Sequence, residues 1–230
     1  MTMKNQLPAM NKKESRFGFI FLFLQFLVIP LLVEIINLFL HRAMSQTLQQ
    51  FLCFALSFLF ACAIFHNYLL TAVKQLSQRS PKLLLYIFLY LGLYYTCTVL
   101  VNLLIFFVDP GFSNANDTAL GIMFKDHFTI MAIGTVILVP PVEEILYRGV
   151  LFGKLYTLSP FLGYLISTII FSAIHVIGYV GTVPAHRLLL CFLQYVPAGF
   201  FLSRVFVKTG NIFAPIIMHA IINFIGIHSI

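Results

Sequence analysis

The sequence predicts an all-α, polytopic integral membrane protein with about seven transmembrane helices, and three observations support this fold class. Of its 230 residues, 60% are hydrophobic, 26 are Phe and only 9% are charged, whereas a soluble domain carries about 25% charged residues. Apolar segments of roughly 20 residues, the length that crosses a bilayer, recur along the chain. The basic residues lie mostly between these segments, so we interpret the net charge of +7 as membrane topology and expect no nucleic-acid partner.

Seven apolar segments are candidate spans: 17–40, 48–73, 83–108, 127–147, 160–179, 188–207 and 212–228. The first is too long for the apolar region of a signal peptide, so it is expected to remain as a transmembrane helix after the basic cytoplasmic segment 1–16. Residues 109–126 are expected to form an extracytoplasmic loop. This loop divides accessory helices in 17–108 from a functional core in 127–228, because clustered polar residues occur only in the second part.

The orientation is predicted from Lys and Arg, which concentrate in cytoplasmic loops. With the N-terminus in the cytoplasm, Arg42, Lys125 and Arg187 lie outside. All other basic residues then lie inside, namely Lys4, Lys12, Lys13, Arg16, Lys74, Arg79, Lys82, Arg148, Lys154, Arg204 and Lys208. We therefore expect a cytoplasmic N-terminus.

The first polar cluster is Glu143-Glu144-xxx-Arg148, within a fourth span that also contains Pro140 and Pro141. The two prolines are predicted to break or kink the span, which places both acids in a first helical turn where the helix dipole favours negative charge. Glu144 and Arg148 have the i,i+4 spacing of an ion pair, whereas Glu143 is rotated about 100° away. The spacing therefore predicts one paired and one free carboxylate. The alternative is a cytoplasmic helix end with ordinary interfacial charges.

The second and third clusters lie on later spans. His175 follows Phe171 by four residues on the same helical face, and His219 is followed at the same spacing by Asn223. Each cluster alone is compatible with hydrogen bonding between helices, which polar residues commonly provide in membranes. All three clusters fall in the last 90 or so residues, each on a different helix, and together they favour a shared site.

A depth argument brings these clusters together. Ser159 is a plausible helix N-cap in a turn between antiparallel helices, and Glu143 and His175 lie 16 residues before and after it. Both side chains then stand roughly 24 Å from the turn at 1.5 Å per residue. His219 lies nine residues beyond Gly210, about 13 Å from its own turn. We expect the clusters to meet within the cytoplasmic half of the bilayer.

In this order on successive spans, the three motifs resemble the CPBP family, the CAAX-protein proteases and bacteriocin-processing or immunity proteins, also called Abi or Rce1-like intramembrane proteases. The resemblance covers roughly residues 127–228. Tyr147 stands where the family more often has Phe, a conservative difference. The resemblance implies a multi-pass protein that hydrolyses peptide bonds within the membrane, and we expect a bacterial cell membrane as its location.

The resemblance also implies roles for the site residues. Glu143 would act as the general base that activates water, assisted by His175. His219 and Asn223 would stabilise the oxyanion, while Glu144 and Arg148 would support the site. No cofactor is expected. Zinc held by Glu143, His175 and His219 is the alternative, disfavoured because the sequence has neither an HExxH motif nor a nearby cysteine ligand.

The substrate and the oligomeric state stay open at this stage. A prenylated CAAX protein, a bacteriocin leader and a pheromone precursor all fit a membrane-associated peptide or protein substrate, with the lipid bilayer as the other partner. A competing hypothesis is a non-catalytic immunity protein or a protein that binds a sensor kinase. A transporter ranks last, because outside the acidic pair Glu34 is the only acid within a span.

Overall fold

The computed structural model describes residues 7–40 and 43–228, without the side chains of 77–81. These residues form no strand apart from one isolated β-bridge between Val180 and Val183. The all-α prediction is therefore confirmed. The apolar helices of the described chain are α1 (Lys12–Phe39), α2 (Gln46–Ile64), α3 (His66–Val108), α4 (Ala115–Leu158), α5 (Pro160–Ile174), α6 (Ala185–Thr209) and α7 (Phe213–Gly226).

Within the described residues, five of these helices are long and apolar enough to cross a membrane: α1, α2, α4, α6 and the part of α3 from Lys82 to Val108. The other two, α5 and α7, have 15 and 14 residues. The predicted number of about seven thus matches the number of apolar helices, whereas five are long enough to span by themselves.

Two predicted boundaries are wrong. The second span ends at Ile64, and α3 begins at His66 and continues as one helix of 43 residues through the turn expected near 74–82. Lys, Gln, Leu and Arg are good helix formers, so a polar stretch here extends a helix beyond the apolar part of the chain. The predicted loop 109–126 is helical from Ala115 onwards, where Asn114 caps α4 by accepting from the backbone N–H groups of Asn116 and Asp117.

The prolines of α4 do not break the helix as predicted. The backbone remains helical through Pro140 and Pro141, because wider π-helical segments at Ile133–Leu138 and Ile145–Phe152 flank the short α-helical stretch Val139–Glu144. The acidic pair therefore lies inside a continuous helix rather than in a first turn. The sharp bend of α4 lies earlier, at His127, whose φ of −144° and ψ of 82° are not helical.

The middle of α4 is the centre of the bundle. From Val142 to Phe152 nearly every residue is buried, and this stretch packs against α1, α5, α6 and α7. By contrast, large apolar side chains on α1 and α3 are exposed, including Phe39 (82%) and Phe107 (77%). In a membrane protein such side chains contact lipid, so the first three helices present the outer surface.

The two predicted turns hold the functional helices in place. Ser159 is the N-cap of α5 and its hydroxyl accepts from Leu162 N at 3.5 Å. Gly210 ends α6 with φ of 60°, a left-handed conformation that glycine adopts without strain. The next residue, Asn211, is fully buried and donates from its amide to the Ala72 carbonyl at 2.8 Å, which fastens this turn to α3.

The cytoplasmic N-terminus remains a prediction. Lys4 and Arg42 lie outside the described residues, as does the side chain of Arg79. Arg148 is fully buried inside the bundle, so it contributes no charge to a loop.

The helices α5 and α6 approach closely at Gly199. A Cβ atom added there would lie 3.0 Å from Thr168 Cα and 3.2 Å from the Thr168 carbonyl oxygen. These are backbone atoms, which cannot move aside cheaply. The Gly199 carbonyl also accepts from Arg148, at 3.3 Å. The absence of a side chain at this position therefore lets the α5–α6 contact form beside the buried arginine.

We predict that Gly199→Ala destabilises the protein by about 1–3 kcal/mol, the usual cost of overpacking. Thermal unfolding in detergent should shift downward, by about 2–4 °C per kcal/mol for a chain of this size. Gly92→Ala is the matched control, because nothing lies within 4 Å of a Cβ atom on Gly92 in α3. Equal unfolding temperatures for the two variants would contradict this packing.

Candidate active site

The three predicted polar clusters meet in the structure. Glu143 Oε2 on α4 lies 3.9 Å from His175 Nε2, at the end of α5, and 3.9 Å from His219 Nε2 on α7. The equal heights of Glu143 and His175 follow from the hairpin at Ser159, as the sequence predicts. The three side chains are 21%, 17% and 6% exposed, so the group is largely enclosed by protein.

The second acid of the pair, Glu144, forms the predicted ion pair. Its Oε1 accepts from Arg148 at 3.1 Å, and both side chains are fully buried. The guanidinium also donates to the carbonyls of Ala198 and Gly199, each at 3.3 Å, and its central carbon lies 4.1 Å from the centre of the Phe171 ring. These contacts join α4, α5 and α6 around one positive charge.

Glu144 also holds His219, a contact that sequence reasoning missed. His219 Nδ1 lies 2.7 Å from Glu144 Oε1. The carboxylate can only accept, because Arg148 donates to the same oxygen. His219 Nδ1 therefore carries a hydrogen. Nothing in the sequence favoured this partner, since the two residues are 75 positions apart.

The ring of His175 is fixed, like that of His219, by a hydrogen bond from Nδ1, and the acceptor belongs to its own helix. Its Nδ1 lies 2.8 Å from the Phe171 carbonyl oxygen, so Nδ1 donates. Each imidazole in its neutral form thus presents the lone pair of Nε2 to Glu143. The carboxylate and two basic nitrogens surround one point, and separations of 3.9 Å suit contact through a shared small molecule rather than direct bonds.

Glu143 is the free carboxylate, as the helical spacing predicts. Its Oε2 is buried and has no hydrogen-bond partner among the described residues. A buried polar atom without a partner costs free energy, about 1–3 kcal/mol for a neutral group and more for a charged one. Such an atom in a cavity with histidines is typical of a functional site.

Asn223, the last predicted site residue, has a structural role in addition to any chemical one. Its amide donates to the Thr135 carbonyl at 2.8 Å. In the π-helical segment the Val139 N–H bonds to Gly134 instead, and Pro140 has no N–H to offer. Asn223 therefore supplies the donor that the helix lacks, and one N–H of its amide stays available.

A cavity of about 490 Å³ contains all four predicted residues. Beyond His175 its wall is polar. The Tyr195 ring stacks on the His175 ring with centroids 4.3 Å apart, and the Tyr195 hydroxyl accepts from Asn116 at 3.0 Å and donates to Asp117 at 3.4 Å. Sequence reasoning missed Tyr195, although Gln194-Tyr195 interrupts an otherwise apolar helix and was a usable signal.

Glu143, His175 and His219 are residue types that bind zinc, but the distances between their side-chain atoms are longer than a zinc site requires. Two Nε2 atoms and a carboxylate, with both Nδ1 atoms donating to oxygens, make the usual environment of a zinc ligand set. Tetrahedral zinc with bonds of about 2.0–2.1 Å needs ligand atoms roughly 3.4 Å apart, whereas Glu143 lies 3.9 Å from each histidine. In the part of the chain that the structure describes, no three such side chains converge closely enough to hold a metal ion.

The fold and the site together define a polytopic membrane protein with a carboxylate–histidine centre inside its helical bundle. Residues 125–225, somewhat less than half of the chain, match the family described as type II CAAX prenyl endopeptidase Rce1-like. This match supports membership of that family and, with it, a protease. The resemblance seen in the three motifs is thereby confirmed. No curated protein and no solved structure matches the chain significantly.

We predict that the two neighbouring acids differ in their effect on stability. Glu144→Gln removes the counter-charge of buried Arg148, which should cost about 3–5 kcal/mol. Glu143→Gln removes a carboxylate oxygen that has no partner and should change the unfolding free energy by less than about 1 kcal/mol. Denaturant titration of both variants in one detergent measures the difference. Equal loss of stability would refute the division between the two acids.

Proposed function

We propose that the protein is an intramembrane endopeptidase that hydrolyses a peptide bond of a membrane-associated protein or peptide. The observation that carries this proposal is the buried, unpartnered Oε2 of Glu143, 3.9 Å from the Nε2 atoms of both His175 and His219. A carboxylate beside the basic Nε2 of His175 and the imidazole of His219, in a cavity with further polar groups, suits activation of water.

In the proposed first step, Glu143 takes a proton from a water molecule while the water oxygen attacks the carbonyl carbon of the substrate. His175 assists by accepting a hydrogen bond from the same water at Nε2. Its Nδ1–H bond to the Phe171 carbonyl fixes the ring in the orientation that this role requires. Positioned general-base catalysis contributes about 10²–10⁴ in rate.

The attack places negative charge on the former carbonyl oxygen, and His219 and Asn223 are the proposed donors to it. Asn223 has one amide N–H besides the one that binds Thr135. His219 donates from Nε2 only as an imidazolium, since its Nδ1 hydrogen points to Glu144. The Glu144 carboxylate lies beside the His219 ring and would stabilise the imidazolium. The buried pair of Glu144 and Arg148 thereby has a supporting role.

The tetrahedral intermediate then breaks down with transfer of one proton. Glu143, protonated in the first step, returns its proton to the leaving nitrogen as the carbon–nitrogen bond breaks. The products are a new carboxyl group and a new amino group, and the carboxylate is regenerated. In this scheme Glu144 and Arg148 take no part in proton transfer and hold His219 and α6 in place.

Zinc is the alternative within the same activity. Glu143, His175 and His219 would hold it, and it would supply a polarised water in place of the water activated by Glu143 alone. We favour the metal-free scheme because the spacing around Glu143 exceeds that of tetrahedral zinc, and because Asn223 suits an oxyanion donor better than a zinc ligand.

The substrate class is proposed at the level of the family. A prenylated C-terminal CAAX peptide is the candidate that the family description suggests, and a bacteriocin leader or a pheromone precursor fits the same chemistry. Comparative proteomics of cells that carry wild-type protein or Glu143→Gln at equal abundance would show which peptide goes uncut.

We predict that Glu143→Gln lowers cleavage of that peptide by the purified protein about 10²–10⁴-fold, the usual contribution of a general base. Because the variant should fold normally, its unfolding temperature serves as an internal check. Asp126→Asn is the matched control, since it removes an exposed carboxylate far along α4. Wild-type rates in Glu143→Gln would exclude the base assignment.

A metal assay separates the two schemes. Purified protein that cleaves at full rate is expected to contain no stoichiometric zinc by elemental analysis. Prolonged dialysis against a chelator should then leave the rate unchanged. Loss of activity on chelation, with recovery on adding zinc alone, would favour the alternative.

A further inference from the structure

A second cavity meets the active-site cavity at Glu143. It lies between α1 and α2 and has a volume of about 780 Å³. We call it the α1–α2 cleft; its polar lining residues are Gln25, Glu34, Gln46, Gln49, Gln50 and Ser57. Glu143 and Gln50 line both cavities, together with three apolar residues, Phe26, Phe54 and Val139. The two cavities therefore lie side by side, with Glu143 on the boundary that they share.

The wall formed by α2 is polar along one face. Gln46, Gln50, Cys53 and Ser57 have spacings of 4, 3 and 4 residues, which places them on a single stripe of the helix. This stripe belongs to a helix apolar enough to cross a membrane. Placing a carboxamide in hydrocarbon costs free energy unless it forms hydrogen bonds. The stripe therefore favours an occupant of the cleft that is rich in hydrogen-bonding groups.

The wall formed by α1 adds further polar groups. Gln25 is half-buried and has no hydrogen-bond partner among the described residues. Pro30, which lines the cleft, cannot donate to the Phe26 carbonyl one turn earlier. Phe26 lies where the two cavities join. Donors and acceptors along both walls match the alternating N–H and C=O groups of an extended peptide.

Glu34 is the only charged residue of this wall besides Glu143, among the described lining residues. Glu34 is exposed on the cleft wall, and it has neither a hydrogen-bond nor an ion-pair partner in the part of the chain that the structure describes. An acid within a membrane span is rare and usually functional. It lies eight residues beyond Phe26, about 12 Å along the helix axis, which three or four residues of extended peptide would span.

We propose that the α1–α2 cleft binds the substrate polypeptide on one side of the scissile bond, and that Glu34 selects a lysine or arginine side chain three or four residues from that bond. The proposal rests on the endopeptidase function and extends it to specificity. The cleft residues of α1 and α2 precede the family match at 125–225, so the proposed preference does not derive from that match. A lipid acyl chain would leave the carboxamides and the carboxylate unpaired.

Cleavage profiling tests this selection. Wild-type protein in nanodiscs is incubated with a synthetic peptide library randomised at every position, and the products are sequenced by mass spectrometry. We expect Lys and Arg to be enriched at one fixed position three or four residues from the cut. The enrichment should be lost in Glu34→Gln and replaced by Asp and Glu in Glu34→Lys.

Kinetics on one selected basic peptide separate binding from chemistry. Glu34→Gln should raise KM about tenfold and leave kcat unchanged, because the pair with the basic side chain exists in both ground and transition states. Asp126→Asn, which removes a carboxylate outside the cleft, should leave both constants unchanged. An unaltered preference for basic residues in Glu34→Gln would overturn the proposal.

A binding experiment distinguishes failure of the cleft from failure of the endopeptidase. Inactive Glu143→Gln protein is photo-crosslinked to a benzophenone-labelled form of the same basic peptide and to a matched peptide with Glu in place of Lys. We expect crosslinks on α1 and α2 from the basic peptide alone, and their loss in Glu143→Gln/Glu34→Gln. Crosslinks that ignore peptide charge, or that map elsewhere, refute the cleft. Crosslinks at the cleft without cleavage by wild type refute the proposed function instead.

Discussion

The buried ion pair between Glu144 and Arg148 is the interaction on which the rest of the site depends. Both side chains are fully enclosed, so neither charge is tolerable without the other. Arg148 fixes α6 through two backbone carbonyls and α5 through the Phe171 ring, and Glu144 fixes α7 through His219. One pair at the centre of α4 thereby determines where the three other helices of the core lie. The hydrogen bonds around the two charges offset only part of the cost of burying them, since Glu144 Oε2 and Arg148 Nε have no hydrogen-bond partner among the described residues. A packed apolar pair, however, would not orient His219.

The prolines of α4 create a second constraint. Pro140 and Pro141 remove two donors from the helix, and the backbone responds by widening into π-helical turns before and after the acidic pair. This frees the Thr135 carbonyl, which Asn223 satisfies from α7. A defect in one helix is therefore repaired by a side chain of another, and the repair brings Asn223 to the cavity wall. π-Helical turns recur at functional sites for this kind of reason, since they place groups that a regular helix would hide.

Much of the site follows from the sequence because it depends on local periodicity. The i,i+4 spacing of Glu144 and Arg148 and the equal distances of Glu143 and His175 from Ser159 need only helical geometry. Other features depend on tertiary contacts that the sequence does not encode locally. The bend at His127, the continuous α3 through 74–82 and the pairing of His219 with Glu144 belong to this group. The prediction that both acids lie in a first helical turn was wrong because it treated the helix as isolated, without the π-helical turns and the donor from α7.

Adjacent acids on one helix differ in environment because a helix turns by about 100° per residue. That single step directs Glu144 into the packed interior and Glu143 into the space where the two cavities meet. The division of labour therefore needs both the rotation of the helix and the asymmetry of the bundle around it. Packed helices α5, α6 and α7 surround one side of α4, and α1 and α2 leave open space on the other, so α1 and α2 define what can reach Glu143.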